Sequence, residues 1–234
     1  MTFRRFLPVL AALPVLGILL WLGTWQVQRL HWKTDLLATI DRAEAGPPRP
    51  LDTAIPQSFT KVAAAGRFDH AREALLGVEV RGTTLGSHLI TPLLRDGAPP
   101  LLVDRGWVPL ERDRSVARPD GEVSVVGFVR PADERDWNSP KDDAAGRRFY
   151  VFDPPAIAQA LDLPPPLPFG LVALAPADTP YGDLPAAPRH LPRPNNPHLG
   201  YAITWYGLAA ALVGVVGVFV LRRPAPPPTQ RDPA

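Results

Sequence analysis

The 234-residue sequence contains no cysteine. Disulfide bonds, thiolate metal sites and relays through paired thiols are therefore excluded. The five histidines show no His-x-His or His-x-x-x-His spacing, which a metal site on a single strand or helix would need. Neither a Gly-x-Ser-x-Gly motif nor a phosphate-binding glycine loop occurs. We therefore predict that the protein is not an enzyme.

A basic stripe that could bind nucleic acid is also missing. The formal net charge is +2, from 25 Lys and Arg against 23 Asp and Glu. Five of these basic residues but only one acidic residue lie in two short terminal tails, so the rest of the chain is slightly acidic. Its charges alternate in sign and leave no surface that would neutralise a row of phosphates. We expect no nucleic-acid partner.

Two long runs of the sequence have no charged residue, at residues 6–25 and 199–221. About 20 apolar residues are enough for a helix to cross the ~30 Å hydrocarbon layer of a membrane. We predict that both runs are transmembrane helices embedded in lipid. The first run is longer than the apolar core of a signal peptide, and no small-residue cleavage site follows it, so we expect it to be retained.

Two spans place both termini on the same side of the membrane. The predicted tails, residues 1–5 and 222–234, carry the five arginines, and an excess of positive charge favours the cytoplasmic side. The region between the spans is then outside the cytoplasm.

The region between the spans begins with a helical extension and a proline-rich linker, residues 26–56, in which Gly46-Pro47-Pro48 ends the helix. Residues 57–197 contain short β-type segments separated by turn signals such as Arg95-Asp96-Gly97, and one short helix with Asp153 as its N-cap. This pattern predicts a membrane protein with two transmembrane helices that flank a mainly antiparallel β (α+β) domain, a curled sheet or barrel-like. Prolines within its strands should lie at edges or bulges.

The segment Asp104-Arg105-Gly106-Trp107 is the most distinctive part of this domain. Asp104 beside Arg105 could be a catalytic carboxylate, but such a pair is more often a solvated ion pair on a hairpin, which is what we expect here. An exposed Trp107 beside Arg105, next to a glycine that lets another backbone approach, would suit a surface that docks a partner. The alternative is that Trp107 packs across a hairpin.

His198 stands at the start of the second span, with Tyr201 and Trp205 one to two turns further on. A neutral imidazole at the membrane edge could ligate a haem iron. The alternative is a histidine that hydrogen-bonds headgroups or backbone. His31 follows the first span, so if the spans pair, both imidazoles would lie at the same membrane face. The corresponding hypothesis is that His31 and His198 ligate one haem.

A series of short motifs lies in order along the chain. They are Gly23-Thr24-Trp25-Gln26-Val27-Gln28-Arg29 leading to Trp32-Lys33, Gly66-Arg67-Phe68-Asp69, Ile90-Thr91-Pro92-Leu93, Leu102-Val103-Asp104-Arg105-Gly106-Trp107-Val108-Pro109, Gly127-Phe128-Val129-Arg130, and Asn196-Pro197-His198-Leu199-Gly200-Tyr201-Ala202-Ile203-Thr204-Trp205-Tyr206-Gly207-Leu208-Ala209. With a span at each end, this order resembles the surfeit-locus family of cytochrome c oxidase assembly factors, in its bacterial form, over nearly the whole length.

The resemblance implies an inner-membrane assembly factor for cytochrome c oxidase, with its main domain in the periplasm and both termini in the cytoplasm. It also implies binding of haem a, with His198 as the ligand, and delivery to subunit I of the oxidase; haem A synthase is a possible second partner. No metal other than the haem iron is expected. One departure is Pro197, which lies between Asn196 and His198 where many relatives have Asn-Asn-His-Leu. The alternative is a structural adaptor that never touches haem.

Overall fold

The computed structural model describes residues 3–51, 58–111 and 114–221, with side chains in the first helix from residue 8 onward. The predicted tail at 222–234, residues 1–2 and part of the predicted linker, 52–57, lie outside the described residues. The chain divides into two compact units. We call residues up to Ala38 together with those from Pro194 onward the helix pair, and Thr39–Arg193 the barrel unit.

The described residues form three α-helices, α1 (Phe3–Ala45), α2 (Pro154–Ala160) and α3 (His198–Leu221). Two of them, α1 and α3, are long and apolar enough to cross a membrane, and their apolar windows are almost entirely exposed. The two predicted spans are therefore present as helices. As predicted, α1 ends at Ala45, directly before Gly46-Pro47-Pro48, because Pro47 and Pro48 have no N–H to continue the helix.

The barrel unit contains strands that correspond closely to the predicted β-type segments. They are β1 (Arg49–Pro50), β2 (Lys61–Phe68), β3 (Ala74–Arg81), β4 (Thr84–Arg95), β5 (Ala98–Pro109), β6 (Glu122–Pro131), β7 (Arg148–Phe149) and β8 (Phe169–Ala173). The hairpin between β4 and β5 turns at Gly97, whose φ of +68° is readily adopted by glycine.

Five of these strands form a closed ring. β2 pairs with β6, β6 with β8, β5 with β4 and β4 with β2, all antiparallel, whereas β8 and β5 pair in parallel. β3 pairs with β4 and extends the sheet, and β7 joins β3 in parallel. β1, which lies in the predicted linker, adds to β2 in parallel. The prediction of a mainly antiparallel, barrel-like domain is confirmed.

The ring closes because β4 changes its neighbour part-way along its length. Its first part pairs with β3 as far as Ile90, and its last part pairs with β2 from Leu93 onward. Pro92 lies at this change, where the carbonyl of Pro92 accepts a hydrogen bond of 2.9 Å from the amide of Asp69. Proline can occupy this position because a strand that is changing partners does not need its N–H.

Alternation along β5 divides the apolar side chains between two cores. Leu101 and Val103 point into the ring, and Leu102 points to the layer beneath α2. That second layer contains Phe152 and Ile157, and α2 begins where Asp153 accepts a hydrogen bond from the amide of Ala156, as the sequence predicts. The ring and α2 therefore hold the polar residues of β4 and β5 in fixed positions.

Candidate functional sites in the helix pair and the barrel wall

His198 is the first residue of α3, and its side chain contacts Gln26 of α1. Its Nδ1 lies 2.7 Å from Oε1 of Gln26, whose side chain is buried, with 9% exposed. A carbonyl oxygen can only accept a hydrogen bond, so Nδ1 carries the proton of the neutral ring. Nε2 is then left with its lone pair free, which is the form that ligates a metal.

Polar contacts on both sides of this pair hold α1 and α3 in register. Towards the middle of the helices, Oγ1 of Thr24 lies 3.1 Å from the Tyr206 hydroxyl, and the Tyr206 ring packs against Gly23. On the other side, Nδ2 of Asn196 donates to the Leu30 carbonyl at 3.4 Å. Because the register is fixed above and below it, Gln26 is held opposite His198.

The other histidine of the helix pair is placed differently. His31 is exposed, and it follows Gln26 by five residues, which places it about 140° around α1. The structure therefore brings Gln26, and not His31, to His198. On α3, Tyr201 and Trp205 follow His198 by three and seven residues, so the three side chains share one face of the helix.

The residue that sequence reasoning missed is Gln26. It belongs to the motif at residues 23–29, and an amide at the end of an apolar span is a signal for a functional contact. Its partner is 172 residues away, and short-range periodicity carries no information about such a pair. The choice between Gln26 and Gln28 needs the helix register, which the structure supplies.

The residues around His198 fit a haem group by the chemistry of their donors. Haem iron takes an axial imidazole, and a ligating histidine usually donates its other N–H to an oxygen acceptor. His198 and Gln26 provide this arrangement at 2.7 Å. An apolar groove of about 420 Å³ also lies between the helices, but its α3 lining begins at Leu212, about 21 Å along the helix from His198.

In the barrel wall, Asp104 on β5 is a buried carboxylate with three hydrogen-bond partners. It is only 2% exposed, and it lies 2.9 Å from Nδ1 of His88, 3.0 Å from the amide of Gly106 and 3.4 Å from Nη1 of Arg130. The expected solvated ion pair between Asp104 and Arg105 is wrong. Because neighbouring residues of a strand point to opposite sides, Arg105 has its own partners elsewhere.

His88 extends this cluster to the surface. Its Nε2 lies 3.0 Å from Oε2 of Glu79, which also binds Arg81 at 2.8 Å. The hydrogen bond to Asp104 raises the pKa of His88 above its ordinary value, against the effect of burial. The bond from Arg81 is the main cause that lowers the pKa of Glu79. These contacts join three strands and give His88 a structural role that its isolated position in the sequence does not reveal.

Arg105 and Trp107 are buried, with 8% and 6% exposed. Arg105 donates to the Ala117 carbonyl at 2.6 Å, and its guanidinium lies 4.8 Å from the centre of the Phe68 ring. Trp107 donates from Nε1 to the Glu79 carbonyl at 3.1 Å, so it packs across the strands. The exposure that the docking hypothesis assumes is therefore wrong for both side chains.

Gly106, between these two residues, has a φ of +114°. Its backbone lies against Ala186, and a Cβ on Gly106 would overlap that backbone. Trp107 and Ala186 exchange both of their backbone hydrogen bonds, at 3.2 and 2.8 Å. The close approach expected at this glycine is real, but it is made by a segment of the same chain.

Comparison with known proteins finds a family that matches most of the chain. The model of the SURF1 family matches residues 13–210, which include parts of both spans and the whole barrel unit. The chain belongs to the SURF1 family. It is 32% identical to surfeit locus protein 1 of Xenopus tropicalis, over 81% of this chain and 68% of the frog protein. It is also 30% identical to the human protein of the same name, over 81% and 70%.

A yeast protein is similar to this chain over a shorter stretch. The chain is 34% identical to the cytochrome oxidase assembly protein SHY1 of Saccharomyces cerevisiae, over 63% of this chain and 41% of the yeast protein. The resemblance inferred from the motifs is therefore confirmed at the level of the family.

Proposed function

We propose that this SURF1-family member is a membrane-bound assembly factor for cytochrome c oxidase that holds haem a through His198. The family match over most of the chain supports the assembly role, because a yeast relative carries that role in its name. The observation that carries the haem role is the contact between His198 and Gln26, which leaves Nε2 of a membrane-edge imidazole free.

When bound, haem a supplies an iron that accepts a lone pair from a neutral imidazole. His198 provides that lone pair, and Gln26 holds the ring in one orientation. Tyr201 and Trp205 lie on the same face of α3 and provide flat apolar surface beside the imidazole. In this proposal the protein binds and hands over its cargo, and it catalyses no reaction of its own.

The partner that fits this role is subunit I of the oxidase, which receives the haem, with haem A synthase as the donor. The protein lies in the inner membrane, with both termini in the cytoplasm and the barrel unit in the periplasm. The absence of native cysteine allows a direct test of this topology. A cysteine introduced at the exposed Tyr181 should react with a membrane-impermeant maleimide in intact cells, and one at Arg231 should react only after lysis.

The haem role is tested by visible spectra of the protein purified in detergent from cells that make haem a. Wild type should show a Soret band with haem a extractable from the sample, and His198→Ala should lose it. His31→Ala is the matched control, because it removes the other imidazole of the helix pair and should keep the band. A wild-type sample without haem, or a band that survives in His198→Ala, would contradict the proposal.

A second candidate function is a structural adaptor that stabilises an assembly intermediate without haem. The similarity to the yeast cytochrome oxidase assembly protein SHY1 supports a role in assembly, which such an adaptor would also fulfil. The same purification separates the two functions. Oxidase subunit that co-purifies equally with wild type and His198→Ala, in samples free of haem, would support the adaptor.

A further inference from the structure

Gln26 places a buried polar amide within α1, directly after the apolar run of residues 6–25, where an unsatisfied group is costly. Its carbonyl oxygen accepts from Nδ1 of His198 at 2.7 Å, a short bond for a neutral donor and acceptor. The amide is therefore directed at one nitrogen of one imidazole.

We propose that Gln26 is the positioning residue for His198: it fixes the ring in the tautomer that carries its proton on Nδ1 and presents Nε2 to haem iron. This inference rests on the proposed haem role. Gln26 acts only through the imidazole and does not itself touch the iron.

The physical reason lies in the two nitrogens of a neutral imidazole. Only one of them carries the proton, and a hydrogen-bond acceptor beside one nitrogen holds the proton there and leaves the other nitrogen free to ligate. Without a partner at Nδ1, the ring would exchange between tautomers and rotate about its side-chain bonds. A part of the population would then present a protonated Nε2, which cannot ligate.

The inference depends on which atom of the Gln26 amide, the oxygen or the nitrogen, faces Nδ1 of His198. If Nε2 of Gln26 faced the ring, it would donate to Nδ1 and force the proton onto Nε2 of His198. The same contact distance would then block ligation instead of favouring it. The position of the proton on His198 therefore distinguishes the two arrangements without any haem present.

Substitution of Gln26 should leave the helix pair intact. The contact between Thr24 and Tyr206 lies on one side of it, and the contact between Asn196 and Leu30 lies on the other. Gln28 offers a matched control, because it is an exposed glutamine two residues away on the same helix. Gln28→Leu makes the same chemical change without touching His198.

The first experiment is ¹⁵N NMR of the full chain in nanodiscs, with ring-labelled histidine, without haem and near pH 8.5, where an ordinary imidazole is neutral. The His198 signals are assigned by their loss in His198→Ala. Wild type and Gln28→Leu should show a protonated Nδ1 and an unprotonated Nε2. Gln26→Leu should show averaged shifts. A protonated Nε2 in wild type, or a Gln26→Leu spectrum equal to wild type, would overturn the inference.

The second experiment measures haem a binding by titration and the midpoint potential of the complex. Gln26→Leu should weaken binding by about 10- to 100-fold, the range seen when the outer hydrogen bond to a ligand is removed. Gln26→Glu should keep binding and lower the potential, because a carboxylate partner makes the imidazole more electron-donating. Equal affinity and potential in wild type and Gln26→Leu would contradict the role of Gln26, whereas a wild type that binds no haem would contradict only the haem role.

Discussion

Nδ1 of His88 lies 2.9 Å from Oδ1 of Asp104, and this carboxylate is almost completely buried. The bond joins neighbouring strands β4 and β5 at the place where their register is irregular. It is therefore a contact between two strands of the barrel wall at a bulge, and it holds the pKa of His88 above its ordinary value.

The first prediction concerns the pH dependence of the barrel unit. Because the pKa of His88 is raised in the folded protein, the charged ring stabilises the fold. This contribution is fully present below the unfolded pKa of about 6.5, and it is lost as the pH rises through the higher folded pKa. We expect the midpoint of thermal unfolding, measured on the full chain in detergent, to fall over this window.

The His88→Asn variant should lose this pH-dependent step, because asparagine keeps a hydrogen bond but does not titrate. His190→Asn is the control, since its exposed ring pairs with Glu44 and not with Asp104. A step of equal size in wild type and His88→Asn would show that another group causes it.

The second prediction is that Asp104→Asn destabilises the barrel unit by about 3 kcal/mol, as expected when one partner of a buried ion pair is removed. The substitution keeps the size of the side chain but leaves Arg130 and His88 without their shared negative charge. Urea unfolding of the full chain measures the change. Asp96→Asn, in the exposed turn between β4 and β5, should stay within about 0.5 kcal/mol of wild type.

The third prediction follows from the packing of Trp107 on Gly86. A Cβ at Gly86 would overlap the indole ring and the Val108 carbonyl, so Gly86→Ala should destabilise the fold by about 1–3 kcal/mol through overpacking. The same urea unfolding tests it. At Gly46 the nearest atom to a built Cβ is 3.4 Å away, and Gly46→Ala should be tolerated. Comparable losses in both variants would mean that contact with Trp107 is not the cause.

The fourth prediction concerns the register of the helix pair. A Cβ at Gly23 would come within 2.9 Å of the Tyr206 ring, so Gly23→Leu should push α1 and α3 apart near His198. We expect the bound haem to fall by about 10-fold, the scale of a lost outer contact. Gly17→Leu is the control, because a Cβ there meets nothing within 4 Å. Unchanged haem content in Gly23→Leu would show that close approach of the helices is not required.

Local patterns in the sequence predict much of this fold. The two spans, the end of α1 before Gly46, the hairpin at Gly97 and the cap at Asp153 each depend on a few neighbouring residues. Such signals act within one turn or one strand, which is why they can be found without a structure.

The partners of individual side chains could not be predicted in the same way. Asp104 and Arg105 are adjacent, yet one binds Arg130 and the other lies near Glu73 at 3.6 Å, because the strand sends them to different sides. The parallel pairing of β8 with β5 and the contact of Gln26 with His198 join distant parts of the chain. Their cause is the tertiary arrangement, and no short window of sequence contains it.

The ring of strands closes through a very short pairing between β2 and β4. β2 meets β4 through only two residue pairs, Arg67 with Leu94 and Phe68 with Leu93. β5 pairs with β8 through three residue pairs, and the other three pairings of the ring have at least five. The pairing of β2 with β4 is therefore the shortest, and we expect solvent to reach the interior of the ring there first. Phe68 is one of the two β2 residues in this pairing, and its ring centre lies 4.8 Å from the Arg105 guanidinium, so Arg105 packs beside the point where the ring closes.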